Sequence, residues 1–302
     1  MVVAGFAETR TQSQQLASVL GCDWVGIDVH RFPDGESRVT VPLGLYDDVI
    51  VHRSLDLPND KLVELALAAE TLRSEGCRRL LLVAPYLCYM RQDTAFHPGE
   101  AVSQRIIGRW LGYYFDGLIT VDPHLHRVAR LDEVVPLAAL ASLSAAPLFG
   151  HHLAARSDRP LLLGPDAESR QWVEAIANES GSPWAVANKR RIGDHEVELT
   201  LPEKLPRASS VILVDDVVST GCTLAELARQ LAGRGVERLE VWVTHALFLE
   251  GALERLHESG VTEVLSTDSV THSSNGIPLA GLLATAVRDL IEGSLSCHRM
   301  GH

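Results

Sequence analysis

The sequence predicts an α/β protein built as two domains in tandem, each a mainly parallel sheet flanked by helices. Three observations carry that prediction. Short aliphatic runs alternate along the chain with stretches whose apolar residues recur at helical spacing. Several runs end in acids or small polar residues, as strands of open parallel sheets do where ligands bind beyond their carboxyl ends. The pattern also repeats: a strand delivers Asp122 in the first half and another delivers Asp166 in the second, with an Ala- and Pro-rich stretch between them. The boundary is placed there, giving domains 1–145 and 146–302, with the last helix a candidate to pack back on the first domain.

Composition agrees with this size of fold. The 302 residues are 46% hydrophobic and 22% charged, enough for two packed cores. No run of eighteen apolar residues occurs, and MVVAGFAETR has neither the basic start nor the long apolar core of a signal peptide, so a soluble cytoplasmic protein is expected. The five cysteines form no CxxC pair, which argues against a zinc site or a disulfide framework. A formal net charge of −12 excludes non-specific binding to nucleic acid or membrane as the main activity. Nucleotides remain possible ligands, because local arginines, backbone amides and a metal ion offset phosphate charge.

In order, residues 2–21 predict a strand, a polar turn and a helix with Leu16, Val19 and Leu20 on its apolar side. Strand-like segments then flank RFPDGE, whose Pro, Asp and Gly suit a turn; Phe32 and Glu36 are not needed for one. DDVIVHRS predicts a strand, and residues 57–76 a capped amphipathic helix. RRLLLVAP predicts a buried strand leading to YMRQD. There Arg91 has the chemistry to stack on a base or clamp a phosphate, and Gln92 to read a heterocycle edge; an internal Arg–Asp pair in a solvated loop explains the segment equally well. An amphipathic helix follows, and then GLITVDPHLH ends in Asp122, His124 and His126, where an imidazole can join waters and a carboxylate around a divalent ion.

After the boundary, RPLLLGPD predicts a strand that delivers Asp166 to a helix. Residues 184–204 include Lys189, Arg190 and Arg191 and have no clear period; they suit a solvated loop or a mobile lid of cations. VILVDDVVSTGCT, residues 211–223, is the stretch that organises the chain. It is an aliphatic strand ending in Asp215 and Asp216, then a small-residue loop, then leucines at helical spacing. Gly221 allows a tight turn, while Ser219, Thr220, Thr223 and the first amides of the helix face an anion. The carboxylates would repel phosphate and suit sugar hydroxyls or a hydrated cation. Strand, helix, strand and helix complete the chain.

The stretch 211–223 resembles the phosphoribosyl-binding signature shared by type I phosphoribosyltransferases and ribose-phosphate diphosphokinases (PRPP synthetases). Together with RFPDGE, PYLCYMRQD, TVDPH, GPD and NKRR in this order, it makes the chain similar to the PRPP synthetases from about residue 3 to about residue 296. The archaeal-type members are the nearer in their loop motifs. That resemblance implies two type I phosphoribosyltransferase-like domains. It implies transfer of the diphosphoryl group of ATP to the 1-hydroxyl of ribose 5-phosphate, giving PRPP and AMP, with Mg2+ or Mn2+ as cofactor. It also implies a homo-oligomer.

By the same likeness, Phe32, Asp34, Glu36, Arg91, Gln92 and Asp93 form the ATP site, and His124 and Asp166 look like metal ligands. Asp215 and Asp216 hold the ribose diol, and Ser219, Thr220, Gly221, Cys222 and Thr223 surround the 5-phosphate. Lys189 and Arg191 are the catalytic cations of a lid. Three departures stand out. Ala167, Glu168 and Ser169 follow GPD where the family normally carries glycines, Ser219 replaces a common aspartate, and TAFHPGEAVS lacks the basic run used for allosteric phosphate binding. Glu168 keeps open a relative with a different sugar-phosphate acceptor. A non-catalytic regulatory subunit of the same family has no need for Asp215, Asp216, His124, Lys189 and Arg191 together, and a transferase that consumes PRPP would lack the RFPDGE and YMRQD pair, so the full set of motifs favours the diphosphokinase.

Overall fold

The computed structural model describes residues 1–44, 47–125, 127–191, 197–202, 205–206 and 208–299; the side chains of 189–191, 197–198 and 294–299 lie outside that description. Two compact units form, one from Met1–Leu143 together with the segment from Leu279 onward, the other from Ser144–Pro278. The first is therefore discontinuous in sequence.

The first unit runs β1 (Val2–Phe6), α1 (Arg10–Leu20), β2 (Asp23–Arg31), β3 (Ser37–Thr40), β4 (Asp48–His52), α2 (Pro58–Ser74), β5 (Arg79–Val83), α3 (Ser103–Tyr114), β6 (Gly117–Val121) and β7 (Ala139–Leu143). Its seven strands take the order β3-β2-β1-β4-β5-β6-β7. All pairings are parallel except the β2–β3 hairpin. Helices cover the central strands on both faces, so Val49, Ile50 and Val51 of β4 form a continuous buried run instead of alternating with polar residues. The stripe Leu62, Leu65, Ala68, Ala69 and Leu72 seats α2 on this core.

The second unit runs α4 (Ala146–Ala154), β8 (Leu161–Gly164), α5 (Arg170–Ser180), β9 (Trp184–Val186), β10 (Asn188–Arg191), β11 (Val197–Thr200), β12 (Ser210–Val218), α6 (Cys222–Ala232), β13 (Arg238–Ala246), α7 (Ala252–Glu258), β14 (Glu263–Thr267) and β15 (Asn275–Ile277). Six strands form a parallel sheet in the order β15-β14-β13-β12-β8-β9, and β10 pairs antiparallel with β11 as a separate ribbon. The last helix, α8 (Ala280–Arg299), returns to the first unit and contacts α1, β6 and β7. Leu283, Ala284 and Val287 are its buried stripe, and Arg288 donates to the carbonyl of Val19.

Several local expectations need correction. Val19 is exposed, although the helical spacing put it on the apolar face of α1. No side chain among the described residues caps α2; it starts at a proline, where the missing N–H is harmless, after Leu57 in the left-handed region. The Ala- and Pro-rich stretch at the boundary contains β7 and α4, which its small residues concealed. Residues 184–204, read as a loop without period, contain three strands.

Candidate functional site

In the first unit the RFPDGE motif is the turn between β2 and β3, and Arg31 and Ser37 are its closing register pair. The Glu36 amide donates to Asp34 Oδ1 at 3.1 Å, and the Phe32 amide donates to the Glu36 carbonyl at 2.8 Å, so the turn is closed by its own polar groups. Phe32, Asp34 and Glu36 are all exposed, with the Phe32 ring edge-on to His30 at 4.9 Å. Such a tip offers a bare aromatic face and two carboxylates to a ligand.

The YMRQD motif follows β5. Tyr89 lies in the left-handed region at φ 61°, a conformation a bulky residue adopts only when its surroundings impose it. Arg91 is exposed. Gln92 Oε1 accepts from Ser103 Oγ at 2.9 Å, at the start of α3. Asp93 has a different character: its side chain is 1% exposed and accepts from Arg127 Nη1 at 2.6 Å and from the Arg127 amide at 3.2 Å. It thereby ties YMRQD to the segment after β6 that carries half-buried His124. Asp122, at the end of β6, is buried with φ 37°, a second strained backbone position at this sheet edge.

In the second unit β12 delivers Asp215, half-buried, and Asp216, buried, at its carboxyl end. Burial pushes the Asp215 carboxyl well above the usual carboxylate range, and the nearby charges of Asp216 and Asp166 push it further. The loop then turns through Gly221 at φ 70°, where any side chain would be strained and a Cβ would lie 3.4 Å from the Ala252 carbonyl. From the α7 side, Arg255 donates to the Thr220 carbonyl, and the Leu249 amide donates to the Ser219 carbonyl at 3.0 Å. Thr220 and Cys222 are exposed and Ser219 and Thr223 half-buried, all at the start of α6, where unpaired helix amides and the dipole favour an anion.

Asp166, at the end of β8, caps the turn into α5. Its Oδ1 accepts from the amides of Glu168 at 3.1 Å and Ser169 at 3.4 Å. Ser169 is buried, and its Oγ donates to the Asp166 carbonyl at 2.6 Å; a Cβ on Gly164 would meet that Oγ at 2.1 Å. The side chain of Glu168 is exposed. Among the described residues, no three of His, Cys, Asp and Glu converge as a ready-made metal cage. Lys189 and Arg191 lie on β10, opposite Leu199 and Val197, and their side chains fall outside the described residues.

Sequence reasoning missed the supporting groups: Glu64, Arg53, Arg127 and Arg255. Glu64 had a readable signal, an acid four residues before Ala68 on the buried side of α2. Away from these motifs, a cavity of about 480 Å³ in the second unit is lined by Arg156, Asp158, Arg238, Glu240 and Trp242. Glu240, 1% exposed, binds both Arg156 and Arg238, so the charges lining this cavity are paired with one another. No helix among the described residues is long and apolar enough to cross a membrane.

Residues 1–112 match the family described as the N-terminal domain of ribose phosphate pyrophosphokinase, and residues 133–281 match the phosphoribosyl transferase domain. The chain is 33% identical over 293 residues to the ribose-phosphate pyrophosphokinase of Methanopyrus kandleri, covering 96% of this chain and 99% of that one. It is 34% identical over 251 residues to the enzyme of the same name from Thermococcus kodakarensis, covering 83% and 88%. In fold it is similar to phosphoribosylpyrophosphate synthetase from Mycobacterium smegmatis, with TM-score 0.82, 23% identity and coverage of 97% and 99%.

Proposed function

Because the chain belongs to the ribose-phosphate pyrophosphokinase family, we propose that it transfers the diphosphoryl group of ATP to the 1-hydroxyl of ribose 5-phosphate, giving PRPP and AMP. The observation that supports this most is the carboxyl edge of β12, where Asp215 and Asp216 lead into a glycine-turned loop at the start of α6. The 5-phosphate meets the hydroxyls of Ser219, Thr220 and Thr223 and the first amides of α6, while the carboxylates accept from the ribose 2- and 3-hydroxyls. The exposed Phe32 packs on adenine and Arg91 clamps base or phosphate. Asp93, already held by Arg127, shapes that loop.

The donor set fits a hard divalent cation, Mg2+ or Mn2+. It includes carboxylate oxygens of the second unit, where burial first and then the neighbouring charges of Asp216 and Asp166 already raise Asp215, and such ions bind through one or two carboxylates, water and phosphate oxygens without an all-protein cage. When bound, the cation neutralises phosphate charge and polarises the reacting oxygens. In the transfer, the 1-hydroxyl oxygen bonds to the β-phosphorus, the bond from that phosphorus to the α,β-bridging oxygen breaks, and the hydroxyl proton passes to water. Positioning supplies most of the acceleration, because this chemistry demands in-line geometry and charge stabilisation more than a strong base. Lys189 and Arg191 are assigned as the cations that stabilise the transferring group. A cytoplasmic homo-oligomer is the setting we assign.

A second reading, a different sugar-phosphate acceptor, is favoured by one observation. The amides of Glu168 and Ser169 are engaged by Asp166, and the exposed Glu168 carboxylate stands at the same turn. Product analysis with ATP, Mg2+ and a panel of sugar phosphates decides both points. Equimolar AMP and PRPP from ribose 5-phosphate, lost in Asp216→Ala, is the expected result. Persistent ATP, or ADP as product, would sink the kinase reading, and AMP release only with another sugar would establish the second.

A further inference from the structure

Helix α2 buries an acid in the middle of its apolar stripe. The Glu64 side chain is 3% exposed, and the Arg53 side chain bonded to it is 4% exposed. Burial alone would raise the Glu64 carboxyl; Arg53, Ser37 and Arg31 overcome that and hold it below the usual range. Replacing such a pair with apolar residues is often neutral or stabilising, so burial of the pair is not explained by stability alone. Its explanation lies in what Glu64 holds.

Oε2 accepts from Arg53 Nη2, whose Nε also donates to Glu8 at 2.8 Å. Oε1 accepts from Arg31 Nη2 at 3.3 Å and from Ser37 Oγ at 3.2 Å. Arg31 and Ser37 are the register pair that closes the RFPDGE turn, so one buried carboxylate grips both stems of the loop. The first turn of the same helix adds Asp60, 2.9 Å from Arg31 Nη1. It also reaches the other nucleotide motif, since Asn59 Oδ1 accepts from the hydroxyl of Tyr89, the strained residue two positions before Arg91.

We propose that Glu64 is a positioning residue for the nucleotide, and that the first two turns of α2 align RFPDGE and YMRQD by gripping each from behind. The inference rests on the reading that these motifs bind ATP. An ion pair on a rigid helix suits this task better than loop-to-loop contact, because sites carried on exposed turns lose precision unless a buried support fixes their stems.

The test compares Glu64→Gln, Ser37→Ala and Tyr89→Phe with wild type. Calorimetry gives the Kd of ATP and, separately, of ribose 5-phosphate; hydrogen exchange of amides 32–36 without nucleotide reads the loop; and Tm reports stability. Glu64→Gln is expected to weaken ATP binding about tenfold and speed loop exchange, with ribose 5-phosphate binding unchanged. Ser37→Ala and Tyr89→Phe are each expected to weaken ATP binding about threefold. A lowered Tm with wild-type ATP affinity, or equal weakening of both ligands, overturns the proposal. Should Glu64→Gln not fold, unchanged ATP affinity in both milder variants overturns it. A wild-type chain that binds no ATP overturns the functional reading instead, and exchange at 32–36 still reports whether Glu64 holds the loop.

Discussion

In the first unit, Phe32, Asp34, Glu36 and Arg91, assigned to the nucleotide, are exposed, and the buried charges near them meet opposite charges: Arg53 with Glu64, and Asp93 with Arg127. In the second unit, the residues assigned to ribose 5-phosphate sit at the end of a buried strand, where Asp215 meets the like charges of Asp216 and Asp166. The two sheets resemble one another and their sites do not. A paired, buried charge fixes geometry before any ligand arrives, whereas clustered carboxylates hold a free-energy cost that a cation relieves on binding. Pre-alignment is thus built into the first unit and electrostatic readiness into the second.

The largest expected effect comes from breaking that readiness. Asp216→Ala should lower kcat/KM on the order of a thousandfold, measured by AMP formation. Asp215→Asn should also lose activity while raising Tm. A carboxyl raised by folding loses stability as pH climbs above its ordinary 3.8, so the gain from Asn appears near neutrality and fades in acid. A fall in Tm at neutral pH would show that Asp215 carries no such cost.

Next in size is a pH effect confined to the first unit. His52 is buried, its ring nitrogens have no hydrogen-bond partner among the described residues, and burial lowers its pKa from 6.5 to about 4. The folded state keeps it neutral while the unfolded chain takes up a proton. Stability present above pH 6.5 is therefore lost as pH falls toward 4, by roughly 3 kcal/mol. Denaturant titrations at several pH values should show that slope, and His52→Leu should flatten it. Gly221→Ala should cost about 1 kcal/mol and weaken ribose 5-phosphate binding about fivefold while sparing ATP, because the strain falls on one loop. Smallest of all, Glu168→Gly should change stability by less than about 0.5 kcal/mol, so any shift in sugar-phosphate preference would belong to the site alone.

The strands that carry the sites were legible in the sequence because full burial gives unbroken aliphatic runs, as in VILV before Asp215. So was the loop at Gly221, because only a few residue types suit a left-handed turn at a helix start. Elements with weaker burial were not legible: β7 is a half-buried edge strand of small residues, and β9 has three half-buried positions. The supports Arg127 and Arg255 escaped for another reason. Each acts on a partner 34 or 35 positions away, and no local period encodes such a pairing. Asp93 shows the same limit, since its residue type suited a ligand-facing role and only the fold shows it turned inward onto Arg127.

The return of α8 to the first unit sets an order of events during synthesis. Residues 144–278 form a continuous unit and can complete their sheet as soon as they have emerged. The first unit, made earlier, keeps its seat on α1 and β7 open until Leu283, Ala284 and Val287 arrive, after the whole of the second unit. The half that begins first therefore finishes last. A nascent chain halted after Pro278 should carry a protease-resistant second unit and a first unit that is still cleavable.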